Sequence, residues 1–149
     1  MFTNEIRTEI EIEGTAQEVW DTLTDFESYR EWNTGFVQAF GRAEVGETLH
    51  ITFSQKAGRT MKMRPTVLVA EPRHELRWLG RLLLPGIFDG EHRFEIHETA
   101  PGRVTFVQSE EFRGVLVPFL RSMIEGNTRS MLQRVNADLA ARVRSRTAA

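Results

Sequence analysis

Three side chains able to exchange protons or hydrogen bonds stand in rows that are otherwise apolar. In FDGEHRFEIHE, residues 88–98, His92 shares its row with Phe88, Gly90, Phe94 and Ile96, while Asp89, Glu91, Arg93, Glu95 and His97 take the alternate positions. In RVTFVQSEEF, residues 103–112, Gln108 and Glu110 fall in the row of Val104, Phe106 and Phe112. Successive side chains of an extended chain point to opposite faces, so both segments predict half-buried strands with these three polar groups inside. The short turn between them, TAPGR, pairs the strands antiparallel and puts position 92 roughly opposite 108 or 110. An imidazole beside a carboxylate can act as a general base, or it can anchor the polar end of an oily ligand.

His92 has a plainer reading as well, a core histidine satisfied by a backbone carbonyl or a neighbouring side chain. Glu110 is costly to bury unpaired, so it needs His92, an arginine, or water near a strand end. The protonation state of His92 is open. His50, His74 and His97 fall on wet faces or in turns, and the four histidines show no metal-ligand spacing. In DGEH, Asp89 and Glu91 point away from His92. The chain has no cysteine, which removes disulfides, thiolate metal sites and cysteine nucleophiles. Nor is there a P-loop, a Rossmann glycine turn or a G-x-S-x-G elbow. Neither a metal nor a cofactor is expected.

The elements that must position these groups follow from the spacing. Residues 5–13 alternate, with Ile6, Thr8, Ile10 and Ile12 on one side. Thr15 and Glu18 then form a T-x-x-E capping box, opening a short helix with Val19, Trp20 and Leu23 inward. A second helical turn is expected around DFESYREW, burying Phe26, Tyr29 and Trp32, with the Tyr29 hydroxyl reaching water. From Gly35 the period is two, over 35–42, 48–55, 60–70, 74–81, 88–98 and 103–112, with turn residues between. Leu116, Leu120, Met123, Ile124, Asn127, Met131, Val135, Leu139 and Val143 then recur at helical spacing, predicting one helix over 116–143. Pro118 suits its first turn, and Gly126 marks a bend or a close approach. The expected fold is α+β: a seven-stranded curved antiparallel sheet around a long C-terminal helix, with two short helices between strands 1 and 2. A helix gripped by so curved a sheet leaves a hollow beneath it.

At 149 residues this is the length of one domain, and residues 1–149 read as a single unit able to bury a core of its own. A formal net charge of -2 argues against nucleic-acid binding. The cluster Arg142, Arg144 and Arg146 suits a solvated helix end. No apolar run is long enough to span a membrane, and MFTNEIRTEI lacks the pattern of a signal peptide, so a cytoplasmic location is expected.

Four stretches carry a resemblance: TAQEVWDTLTDFESYREWNTGF (15–36), AEPRHELRW (70–78), FDGEHRFEI (88–96) and SEEFRGVLVP (109–118). With the element order, they resemble the helix-grip fold of the START-like, or SRPBCC, superfamily, most of all its bacterial polyketide cyclase/dehydrase branch. The resemblance spans essentially the whole chain. It implies a cavity under the long helix that takes apolar small molecules. The inward rows nominate Phe53, Met63, Trp78, Phe88, Phe94 and Phe106 as its lining, with Met123, Asn127 and Met131 from the helix. His92, Gln108 and Glu110 are its polar points.

Three functions fit. One is binding or carriage of a hydrophobic small molecule such as a lipid, an aromatic polyketide or an isoprenoid. The second is a polyketide cyclase or dehydratase with His92 and Glu110 as catalytic residues, since folding such a substrate supplies much of the acceleration. The third is a protein–protein module, which needs an exposed apolar patch that no run of the sequence suggests. The oligomeric state, monomer or homodimer, is open.

Overall fold

Alternation at the N-terminus builds β1 (Thr3–Glu13), with Ile6 and Ile12 buried and Glu5, Glu9 and Glu11 exposed. The computed structural model describes residues 3–82 and 84–148. Chain reversals then give β2 (Phe36–Phe40), β3 (His50–Ser54), β4 (Thr60–Met63), β5 (Thr66–Glu71), β6 (Glu75–Leu82), β7 (Phe88–Ala100) and β8 (Arg103–Arg113). Five strands form one antiparallel sheet in the order β1-β8-β7-β6-β5, and three form another, β2-β3-β4.

This corrects the expectation of seven strands in one sheet. The stretch 60–70 is two strands, because Pro65 interrupts it. Proline has no amide hydrogen to give a ladder, and it restricts the residue before it. The sheets still touch there: Leu49 N donates to the Pro65 carbonyl at 2.8 Å, and the backbones of Glu47 and Val67 bond at 2.9 Å. The charged outer face of β6, β7 and β8 carries ion pairs such as Arg77–Glu75 at 2.6 Å and Arg77–Glu91 at 3.6 Å. Partly exposed pairs of this kind add little to stability and account for the wet row of the sequence.

Between β1 and β2 lie α1 (Ala16–Thr24), a 3-10 turn (Phe26–Ser28) and α2 (Tyr29–Trp32). The capping box is complete, with Thr15 Oγ1 accepting from Glu18 N at 3.1 Å and Glu18 accepting from Thr15 N at 2.9 Å. Hydrogen bonds from Thr147 and Thr15 hold the Glu18 carboxyl below its ordinary value of 4.5. A lowered carboxylate pKa adds stability above the unfolded value and loses it as pH falls. Thr15→Ala is expected to cost about 1 kcal/mol at neutral pH. That loss comes from the bond to Glu18 N and should change little with pH, whereas the deficit of Glu18→Gln should shrink as pH falls through and below the ordinary glutamate value, as thermal melts at several pH values would show. A constant deficit in Glu18→Gln would exclude the contribution of the ionised carboxylate. The Tyr29 hydroxyl, expected in water, is instead buried and donates to the Leu23 carbonyl. Burial first, and Asp25 second, push its pKa above the usual phenol range.

The C-terminal helix is not one α-helix. It comprises α3 (Val117–Met123), a π turn (Ile124–Thr128) and α4 (Arg129–Ala148). Pro118 sits in the first turn of α3 as expected, and Gly126 falls in the π turn. α4 spans about 30 Å at 1.5 Å per residue and packs Leu132, Val135, Asn136, Leu139 and Val143 inward. Thr34 N and Oγ1 both donate to Asp138 Oδ2, at 2.8 and 2.7 Å, tying the start of β2 to this helix.

Candidate functional site

The pairing of β7 with β8 sets His92 opposite Glu110 and Phe94 opposite Gln108. His92 Nδ1 lies 3.0 Å from Glu110 Oε2, and its Nε2 lies 2.9 Å from Gln108 Oε1. The chain of contacts continues into α4 and β1. Gln108 Nε2 donates to the Leu132 carbonyl at 3.0 Å and to Asn136 Oδ1 at 2.7 Å, and Asn136 Nδ2 donates to Thr8 Oγ1 at 3.0 Å. Four elements thus meet through five polar side chains. His92, Gln108 and Asn136 are buried, whereas the Glu110 side chain keeps 16% of its surface exposed. Glu110 is the outer end of a buried polar chain.

Aromatic rings hold the imidazole in place. It stacks on Phe94, with centroids 4.3 Å apart and planes 20° from parallel. Phe36 meets it edge-on at 5.5 Å and Trp78 lies 5.4 Å away. Trp78, Phe94 and Phe106 are fully buried, Met131 nearly so, and Phe53 packs against the same core from its rim. This corrects the expectation of a wide hollow around His92. The deep part of the interior is filled by these large side chains. Two surface depressions lie elsewhere, one among Glu13, Gly14, Glu18, Gly102, Arg144 and Thr147, the other among Arg64, Thr66, Leu68, Leu79 and Arg81.

One step along the strands from His92 lies a shallow shelf, bare of side chains on two neighbouring strands. Gly80 of β6 pairs with Gly90 of β7, so two adjacent inward positions carry no side chain. A Cβ added at Gly90 would lie 3.1 Å from Glu110 Oε1 and 3.5 Å from the Phe112 ring, and one at Gly80 would lie 3.9 Å from Met63 Sδ. Met63, Phe88 and Glu110 are half-buried here, and Phe88 stacks on Phe112 at 5.3 Å. The shelf is apolar on most sides, with one carboxylate oxygen at its edge.

Of the nominated residues, His92, Gln108 and Glu110 come together, and Trp78, Phe94 and Phe106 pack behind them. Met63 and Phe88 border the shelf. Asn127, expected to aim at the sheet, is only half-buried, because it belongs to the π turn that breaks the helical phase. The Met123 side chain lies outside the described residues. The polar residue that α4 does bury is Asn136, which the sequence reading missed. Its signal was its place four residues after Leu132 and three before Leu139, on the inward stripe. Thr8, a polar member of the inner row of β1, was likewise visible but not assigned. Leu84, Val115 and Phe119 are exposed on two segments joined by a Val115 N to Gly86 carbonyl bond of 3.1 Å. They belong to the apolar stretches LLLPGIF (82–88) and VLVPFL (115–120), which the sequence reading did not single out as an exposed patch. Among the described residues, no cluster of His, Asp or Glu is arranged to hold a metal ion. No described helix is long and apolar enough to cross a membrane.

Known proteins of similar structure share this frame. The Zhui aromatase/cyclase from Streptomyces sp. R1128 superposes with a TM-score of 0.81 at 12% identity, covering 98% of this chain and 96% of that one. Norcoclaurine synthase from Thalictrum flavum, in complex with dopamine and hydroxybenzaldehyde, gives 0.74 at 15% identity over 97% and 88% of the two chains. A START superfamily protein from Mycobacterium smegmatis gives 0.72 at 16% identity over 95% and 97%. At such identities the likeness is one of fold. No curated protein sequence matches the chain. The sequence itself matches, over residues 3–144, the family described as polyketide cyclase / dehydrase and lipid transport. The chain therefore belongs to that family.

Proposed function

We propose that the protein binds a hydrophobic small molecule of the lipid, aromatic polyketide or isoprenoid class, seated on the Gly80–Gly90 shelf with its polar end at Glu110. One observation carries this reading. The carboxylate, mostly covered but still in reach of solvent, is held 3.0 Å from a buried imidazole, immediately beside inward positions that lack side chains. A mostly apolar recess with one fixed polar group is the usual form of a small-molecule site. The filled interior favours a ligand with an edge slim enough for the shelf, such as a flat ring or an alkyl chain.

Native mass spectrometry of freshly purified protein tests the reading, together with titration of the emptied protein with 2-naphthol. The expected result is a one-to-one apolar adduct, or saturable naphthol binding that Gly90→Leu weakens about tenfold or more by filling the shelf. Protein free of ligand that also fails to bind naphthol would overturn it.

A cyclase or dehydratase is the second reading, favoured by the same contact. Glu110 meets the shelf while His92 backs it, so a proton can pass between a bound substrate and the pair without crossing the apolar core. In that case His92→Ala abolishes turnover while the folded variant still binds its substrate. Full turnover in that variant would remove the enzymatic role of His92.

A further inference from the structure

We propose that Gln108 fixes the proton count of the His92–Glu110 pair, and with it the charge class of ligand the site accepts; the second half of this inference rests on the small-molecule reading above. The Gln108 amide has one defined orientation. Its Nε2 faces the Leu132 carbonyl at 3.0 Å, and a backbone carbonyl can only accept, so this atom is the amide nitrogen. Its Oε1 therefore faces His92 Nε2 at 2.9 Å. That ring nitrogen must carry a hydrogen. Without one, two lone pairs would oppose each other where no water reaches, since His92 and Gln108 are 1% and 0% exposed.

Across the ring, Nδ1 lies 3.0 Å from Glu110 Oε2, and the same logic requires one proton between these atoms. It sits on Nδ1 beside an ionised carboxylate, or on the carboxyl group beside an accepting Nδ1. Both arrangements sum to zero charge. Nothing described at the shelf changes that sum, because Met63, Phe88, Phe112 and the two glycines carry no charge. A neutral hydroxyl or enol can donate there to Glu110 Oε1, the oxygen of the pair left free to accept. A carboxylate or phosphate finds no cation, and an ammonium group finds no net anion.

Gln108 is thus a positioning residue for His92 and a specificity-determining one for the ligand. Replacing it by methionine, of similar length, removes the acceptor for Nε2–H. The ring then takes the tautomer with its hydrogen on Nδ1, donating to an ionised Glu110. One proton leaves to bulk water, and the pair changes from neutral to singly negative.

Ring-nitrogen NMR of 15N-labelled protein reads the proton directly and needs no ligand. The wild type is expected to show a protonated Nε2, and Gln108→Met a bare Nε2 with a protonated Nδ1. Titrations with 2-naphthol and 1-naphthylmethylammonium read the charge class. The wild type should prefer the naphthol, and the variant should shift the ratio toward the ammonium by about tenfold or more, as one nearby charge of partly screened strength allows. A bare Nε2 in the wild type would overturn the inference without any variant being made. So would a folded variant that keeps both Nε2–H and the wild-type ratio. If neither probe binds the wild type, the small-molecule reading and the charge-class half fail together, while the spectrum still decides the proton count.

Discussion

Phe94→Ala is expected to lower the free energy of unfolding by about 3–5 kcal/mol, near the top of the range for a single core truncation. Phe94 is 0% exposed and touches most of what defines the interior. Its ring stacks on His92, meets Trp78 at 4.9 Å and faces Phe36 and Phe106 at 6.4 and 6.1 Å. These four partners belong to four different strands, so no single neighbour can relax to refill the space. For a chain of this length the loss corresponds to a fall of roughly 10 °C in Tm. It would also leave one face of the imidazole without its stacking partner. Chemical denaturation of Phe94→Ala beside Phe94→Leu checks the size. A loss below about 1 kcal/mol for the alanine variant would mean that this interior is not close-packed.

Gly114→Ala should be nearly as damaging, for a different reason. Gly114 ends β8 with φ at 132°, a conformation that L side chains rarely adopt, and a Cβ there would lie 2.4 Å from the Ile87 carbonyl oxygen. The obstacle is backbone, so no rotamer change relieves it. Strain and overpacking together predict about 3 kcal/mol or more. The 86–87 turn would have to part from residues 115 and 116, which it holds by bonds of 3.1 Å each. Gly102→Ala is the control. Its φ is 74°, yet nothing lies within 4 Å of the added carbon, so it should cost only about 1 kcal/mol. Denaturant melts of the two variants separate the contributions, and equal losses would show that the contact with Ile87 is immaterial.

The sequence made some of this legible because periodicity is a local property. The row Phe88, Gly90, His92, Phe94, Ile96 fixed which side of β7 faces inward, and a short turn was enough to bring Glu110 opposite His92. The Thr15–Glu18 box was readable for the same reason, since every atom of it lies within four residues. Pro65 was in plain view too, but its neighbours Met63 and Val67 kept the alternation going, and the break it causes was read through. The packed state of the interior could not be read at all. Whether Trp78, Phe36 and Phe94 fill a concavity depends on the curvature of the strands and on summed volumes, neither of which has a pattern along the chain. Asn136 was missed because the inward stripe of α4 is wider than the single row Met131, Val135, Leu139 and Val143 that the spacing picked out, and Leu132 and Asn136 lie beside that row.

The π turn has a geometric consequence of its own. One surplus residue in a helix swings everything before it by about 100° about the axis. α3, with Phe119 on its open side, is thereby keyed to a different azimuth from α4, where the Leu132 carbonyl and Asn136 hold the glutamine. The final limb of the molecule works as two separately indexed spindles on one shaft. The upper can be re-aimed by the length of the joint while the lower stays clocked to the strands.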